Sequence, residues 1–150
     1  MRPHTGRADA ATPAPIRVGV ALLLASQVAM SGWQLVFPRH FYDTFPTVAL
    51  VPPFNEHLMR DFGAAGLGIA VVLAAAVAWP IVRLTLIALA AYLVYAVPHL
   101  LFHVSHLEHH SSSDVAFVLA SVGGSVAAPA VLMVATIAAR VRKVDAAARE

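Results

Sequence analysis

Four runs of about twenty predominantly apolar residues divide this chain, and no other feature constrains its fold as strongly. They cover residues 18–37, 56–79, 81–106 and 114–139. A helix of that length crosses the roughly 30 Å hydrocarbon core of a bilayer. Inside lipid every backbone N–H and C=O must find its partner within the segment, so such runs are helical. The alternative is a soluble core, and 150 residues cannot hide this much apolar surface. Hydrophobic residues make up 59% of the chain and charged residues 12%, against roughly 25% charged in an ordinary soluble domain. Mean hydropathy is +0.75. An ordinary soluble domain, a disordered chain and a nucleic-acid binder are excluded. The absence of cysteine removes disulfides, thiolate metal sites and Cys nucleophiles.

The expected fold class is all-α, a four-transmembrane-helix antiparallel bundle, because the connections are too short for any other packing of neighbours. Residues 16–140 form the membrane domain. Residues 1–15, with three prolines, read as a flexible tail, and residues 141–150 as a charged tail. A signal peptide is not expected: the first apolar run is too long and leads into Pro38-Arg39, not a small-residue cleavage site. Eight basic residues (Arg2, Arg7, Arg17, Arg83, Arg140, Arg142, Lys143, Arg149) fall on one side and two (Arg39, Arg60) on the other. Under the positive-inside rule both termini are cytoplasmic, in the plasma membrane of a bacterium. The aromatics Trp33, Phe37, Phe41, Tyr42, Phe45, Phe54 and Phe62 then form an outer interfacial belt, with the loop 38–54 lying along that surface.

Polar residues inside apolar runs are costly, so they mark packing or function. Gln27 and Gln34 share a helical face and are expected to hydrogen-bond between helices. Small residues after Gly63 permit close helix approach, as in Ala64-xxx-Gly68. Gly123-Gly124 and Pro129 are positions for a kink or a close contact. Asp114 reads as the N-cap or first-turn acid of the last span.

Two polar motifs fall on the outer side. The first is Pro-Phe-Asn-Glu-His-Leu-Met-Arg-Asp-Phe-Gly, residues 53–63. Asn55 is placed to cap the helix; Glu56 with Arg60, and His57 with Asp61, are four apart and can pair. The second runs from Pro98 to His110. His99, His103, His106 and His110 follow at i, i+4, i+7 and i+11, one stripe if the helix persists, with Tyr92 and Tyr95 extending it inward. Candidate ligand-binding residues are Asn55, Glu56, His57, Arg60, Asp61 and Tyr95. Candidate metal ligands are His99, His103 and His106, with Glu56 and Asp61 completing the shell. Neutral imidazole suits a transition metal such as zinc, iron or copper.

The two motifs together resemble a group of four-helix membrane proteins of actinobacteria, over residues 16–140, and the glycine-rich second span resembles the DoxX-like superfamily. The resemblance implies the four-helix bundle and the pairing of the motifs; it implies no activity. The tract from His109 to Ser113 departs from that pattern. The spacings His-x3-His and His-x2-His-His also resemble two histidine boxes of membrane di-iron desaturases, with no third box here.

Three functional classes fit. The leading one is an outward-facing polar pocket between the second and third spans, binding a small polar ligand, a lipid headgroup or a metal ion. The others are a His-rich transition-metal oxidoreductase and a non-catalytic bundle serving as a membrane-complex subunit or scaffold. Expected partners are the lipid bilayer and a second copy or other subunit.

Overall fold

The computed structural model describes residues 10–50, 53–108 and 110–149. Within these residues five α-helices follow one another: α1 (Ala14–Val36), α2 (Pro38–Thr44), α3 (Glu56–Ala78), α4 (Val82–Val104) and α5 (Ser112–Ala147), with a short 3-10 turn at Val48–Leu50 before α3. Among the described residues there is no strand beyond one isolated bridge. Four of the helices, all but α2, are long and apolar enough to cross a membrane. Three have 23 residues, about 35 Å at 1.5 Å per residue, which matches the hydrocarbon core.

Local chemistry sets most of the ends. Pro15 sits in the first turn of α1, where its missing N–H goes unused, so α1 begins at Ala14. Asn55 caps α3 by accepting from the Leu58 N–H at 3.0 Å. Asp114 is the first-turn acid of α5, as expected, and the N-cap is Ser111. The acid is the third residue of a capping box: its N–H donates to Ser111 Oγ at 3.3 Å, and its carboxylate accepts from the Ser111 N–H at 3.2 Å. That box starts α5 at Ser112. α5 then runs for 36 residues, about 54 Å, and so extends well past a bilayer core.

Around the bundle α1 packs chiefly on α3, α3 on α4, and α4 on α5, while α1 and α5 touch lightly. The core is Ile16, Val20, Leu23, Leu73, Ala76, Ala88, Leu89, Tyr92 and Ala96. The α1–α3 seam is the tightest. A Cβ on Gly63 would come 2.7 Å from the backbone of Ser31 and Leu35, and one on Gly66 would overlap Ser31 Oγ. Gln27 spans this seam as expected, donating to Ser31 Oγ at 2.9 Å and to the Gly66 carbonyl at 3.3 Å. Gln34 is buried on the same face. The expected Ala64-xxx-Gly68 contact is corrected: both residues are exposed and nothing lies near a Cβ on Gly68. Likewise Gly123 and Gly124 admit no close neighbour. Small residues permit approach, but which of them is used depends on how the helix is rotated.

Two connections depart from expectation. The loop 38–54 opens with α2, because Pro38 at the first helical position has its φ preset for a helix. α2 turns Phe41 inward, where it is 3% exposed, instead of leaving it in the interfacial belt. Phe41 meets Trp33 edge-on at 5.2 Å and stacks on Phe45 at 5.0 Å; Phe45 reaches Phe117 of α5 at 5.8 Å. At the opposite end, residues 10–13 are a strap and not a free tail. The Thr12 N–H donates to the Pro80 carbonyl at 2.7 Å, and the Val82 N–H to the Ala10 carbonyl at 2.9 Å. The Thr12 and Thr85 hydroxyls share a buried hydrogen bond of 2.8 Å. Lys143 Nζ of α5 donates to the Ala11 carbonyl at 3.3 Å. The rest of the expected tail, residues 1–9, lies outside the described residues.

Candidate functional site

The first motif occupies the opening turns of α3, and helical geometry sorts its residues onto three faces. Both expected i, i+4 pairs form. Arg60 donates from Nε and Nη2 to Glu56 Oε1 at 2.9 and 2.8 Å. His57 Nε2 lies 3.2 Å from Asp61 Oδ2. Arg60 also donates through Nη1 to the Leu35 carbonyl, which faces it from the last turn of α1. The arginine thereby satisfies a helix-end carbonyl that has no partner of its own. It faces α1, not α4. The side chains of His57 and Asp61 are 87% and 62% exposed, so that pair looks away from the bundle. The third face, carried by Phe62, turns to α4.

The second motif supplies what Phe62 meets. His99 and His103 continue the face of α4 that buries Thr85, Ala88, Tyr92 and Ala96, so both are partly enclosed by protein. Phe62 packs on Tyr95 at 5.0 Å and on His99 at 5.5 Å between ring centres. Tyr95 and His99 are stacked at 6.2 Å, and His99 meets His103 edge-on at 4.6 Å. No hydrogen bond joins the His99 or His103 ring to another described residue.

The helical stripe ends sooner than its spacing predicts. α4 stops at Val104, two residues short of 106. Two side chains compete with the helix there: Ser105 Oγ donates to the Phe102 carbonyl at 2.9 Å, and His106 Nδ1 lies 2.8 Å from the same oxygen. Such local bonds offer the backbone an alternative to the next helical turn. His106 therefore leaves the stripe, stacks on Phe102 at 4.3 Å, and bonds Ser105 Oγ at 3.0 Å. His110 lies in the loop. Its N–H donates to the Leu107 carbonyl at 3.0 Å, while its Nδ1 is buried without a hydrogen-bond partner among the described residues. His109 lies outside the described residues.

The structure thus brings Tyr95, His99 and His103 together with Phe62. It gives the carboxylates of Glu56 and Asp61 to partners on their own helix. Among the described residues no group of three His, Asp or Glu side chains is placed to hold a metal ion. Phe62 is absent from the expected site residues, which name it only among the interfacial aromatics. The available signal was its position two residues beyond Arg60, roughly half a turn round the helix from a residue that cannot face the same neighbour.

Compared with known proteins, the chain matches no family model, no curated protein and no solved structure.

Proposed function

We propose that this is a four-span integral membrane protein that holds a small polar ligand at the outer end of α3 and α4. The four long helices cross the bilayer as an antiparallel bundle with both termini cytoplasmic. The ligand sits against the imidazoles of His99 and His103, with Phe62 and Tyr95 as aromatic walls and His110 closing the site from the loop. One observation carries this reading. The His99 and His103 rings meet edge-on at 4.6 Å, and Nδ1 of His110 is buried without a hydrogen-bond partner among the described residues. A buried polar group without a partner costs about 1–3 kcal/mol, so a native site of this kind is completed by a bound molecule or ordered water. A neutral imidazole offers one donor and one acceptor, which suits a hydroxyl, amide or carboxyl ligand.

The exposed ion pairs stand outside this ligand set. Glu56 and Arg60 serve to fix α3 against α1, and His57 with Asp61 faces the headgroup region. This arrangement favours binding over redox chemistry at a metal, because among the described residues no three His, Asp or Glu side chains come together as a coordination shell.

The test is to purify untagged protein in lipid nanodiscs, extract it under denaturing conditions, and compare released small molecules by mass spectrometry. Wild-type protein should release a polar compound that the His99→Leu/His103→Leu variant does not. Identical profiles from two equally folded proteins would end this reading. A stoichiometric transition metal in wild-type protein would replace it with the metal one.

A further inference from the structure

Part of the apolar surface that α5 exposes is ordered on one stripe. Val134, Ile137, Val141 and Val144 are all exposed, at steps of three, four and three residues. That is the spacing of a coiled-coil seam. The stripe lies roughly a third of a turn round the helix from Val118, Pro129 and Thr136, the residues that α5 buries in the bundle. Where α5 crosses the bilayer, lipid covers such a stripe, so Val134 and Ile137 alone would mark nothing. But α5 is 36 residues long, and Arg140 with the basic residues after it carries the last turns out of the hydrocarbon. Val141 and Val144, 51% and 49% exposed, continue the stripe into water. There an apolar ridge on a projecting helix has no lipid over it, and burying it is favourable.

The flanking charges point to what covers it. With Val134 and Val141 at seam position a, and Ile137 and Val144 at d, Arg140 falls at g and Asp145 at e. In a parallel helix pair, a g residue of one chain faces the e residue of the next heptad on the other. Arg140 of each copy then faces Asp145 of the other, twice over by symmetry. Arg142 and Arg149, which lie beside Asp145, stand farther from the seam. Copies inserted in one membrane share one orientation, so their α5 helices meet in parallel, the arrangement that this charge pattern fits. We propose that α5 is a self-association helix: a second copy of this chain docks along Val134, Ile137, Val141 and Val144, in a register set by Arg140 and Asp145. The inference uses the membrane reading, which fixes the parallel orientation, and is independent of the imidazole site.

The test is cysteine cross-linking of full-length protein in phosphatidylcholine vesicles at low protein-to-lipid ratio, with a membrane-permeant oxidant. Val144→Cys should form a disulfide between copies. Ala146→Cys, on the opposite side of α5, should not, because the bond needs Cα atoms within about 7 Å. Association is then read as Förster transfer between labelled copies across a lipid dilution series. Arg140→Asp should weaken it roughly tenfold, since two attractive pairs become two repulsive ones. Arg140→Asp/Asp145→Arg should restore it to within about twofold of wild type. All variants are first matched to wild type for helicity and thermal unfolding. Equal cross-linking at 144 and 146 would mean random collision and overturn the seam, as would no cross-link at 144. A double charge variant as weak as the single one would overturn the register. Capture of a different protein in place of a second copy by Val144→Cys, in native membranes, would also overturn the proposal. His99→Leu/His103→Leu should leave both readouts unchanged, which separates this result from the ligand test above.

Discussion

Gly66 and Gly124 show how far one residue's consequences depend on its neighbour. A methyl group on Gly66 overlaps Ser31 Oγ and comes 2.7 Å from Gln27 Nε2, side chains that are themselves buried and hydrogen-bonded to each other. Gly66→Ala should therefore force α1 from α3 and destabilise the bundle by about 1–3 kcal/mol, the usual cost of overpacking. Gly124 faces open space. Gly124→Ala should raise stability by about 0.5–1 kcal/mol, from helix propensity alone. Thermal unfolding in nanodiscs measures both, and the two substitutions should move it in opposite directions. The same contrast separates the polar groups. Glu56 and Arg60 pair in the open, where an ion pair contributes about 0.3–0.5 kcal/mol. Gln27 is enclosed, and its truncation leaves the Gly66 carbonyl without that donor.

At the level of elements, the ends of the helices are held by specific side chains. Ser111→Ala removes the N-cap of α5 together with its partner bond from Asp114, and should cost about 1 kcal/mol. The loss should appear as faster hydrogen exchange confined to residues 112–116. The strap permits a sharper test. The side chains of Thr12 and Thr85 are buried and bonded hydroxyl to hydroxyl across the seam. Thr85→Val leaves the Thr12 hydroxyl enclosed without its partner, at about 1–3 kcal/mol. The double variant Thr12→Val/Thr85→Val removes both polar groups and should recover most of that loss. Additive losses would show that the strap is not held by this bond.

For the whole molecule, the prediction concerns topology. In the proposed orientation, single cysteines at Ser113 and Thr44 should react with a membrane-impermeant thiol reagent added outside intact cells, and one at Ala147 should not. This chain has no native cysteine to interfere. Labelling at Ala147 alone would reverse the orientation and move the imidazole site to the cytoplasmic face.

The number of long helices, their approximate limits and their lipid-compatible surface were legible in the sequence, since hydropathy and the 3.6-residue period act along a single segment. Capping at Asn55, the two i, i+4 pairs of α3 and the inward face of Gln27 were legible for the same reason. Contacts between segments were not. Whether Gly66 or Gly68 meets α1 depends on a rotation of α3 that composition leaves open. The turn of Arg60 towards Leu35, the seating of Phe62 on Tyr95 and His99, the burial of Phe41 and the docking of residues 10–13 each need a group supplied from another part of the chain. The end of α4 at Val104 depends on Ser105 and His106 competing for one carbonyl, which the spacing of histidines does not reveal. Segment-local free energies fixed the parts; competition among groups distant in sequence and adjacent in space fixed how they meet.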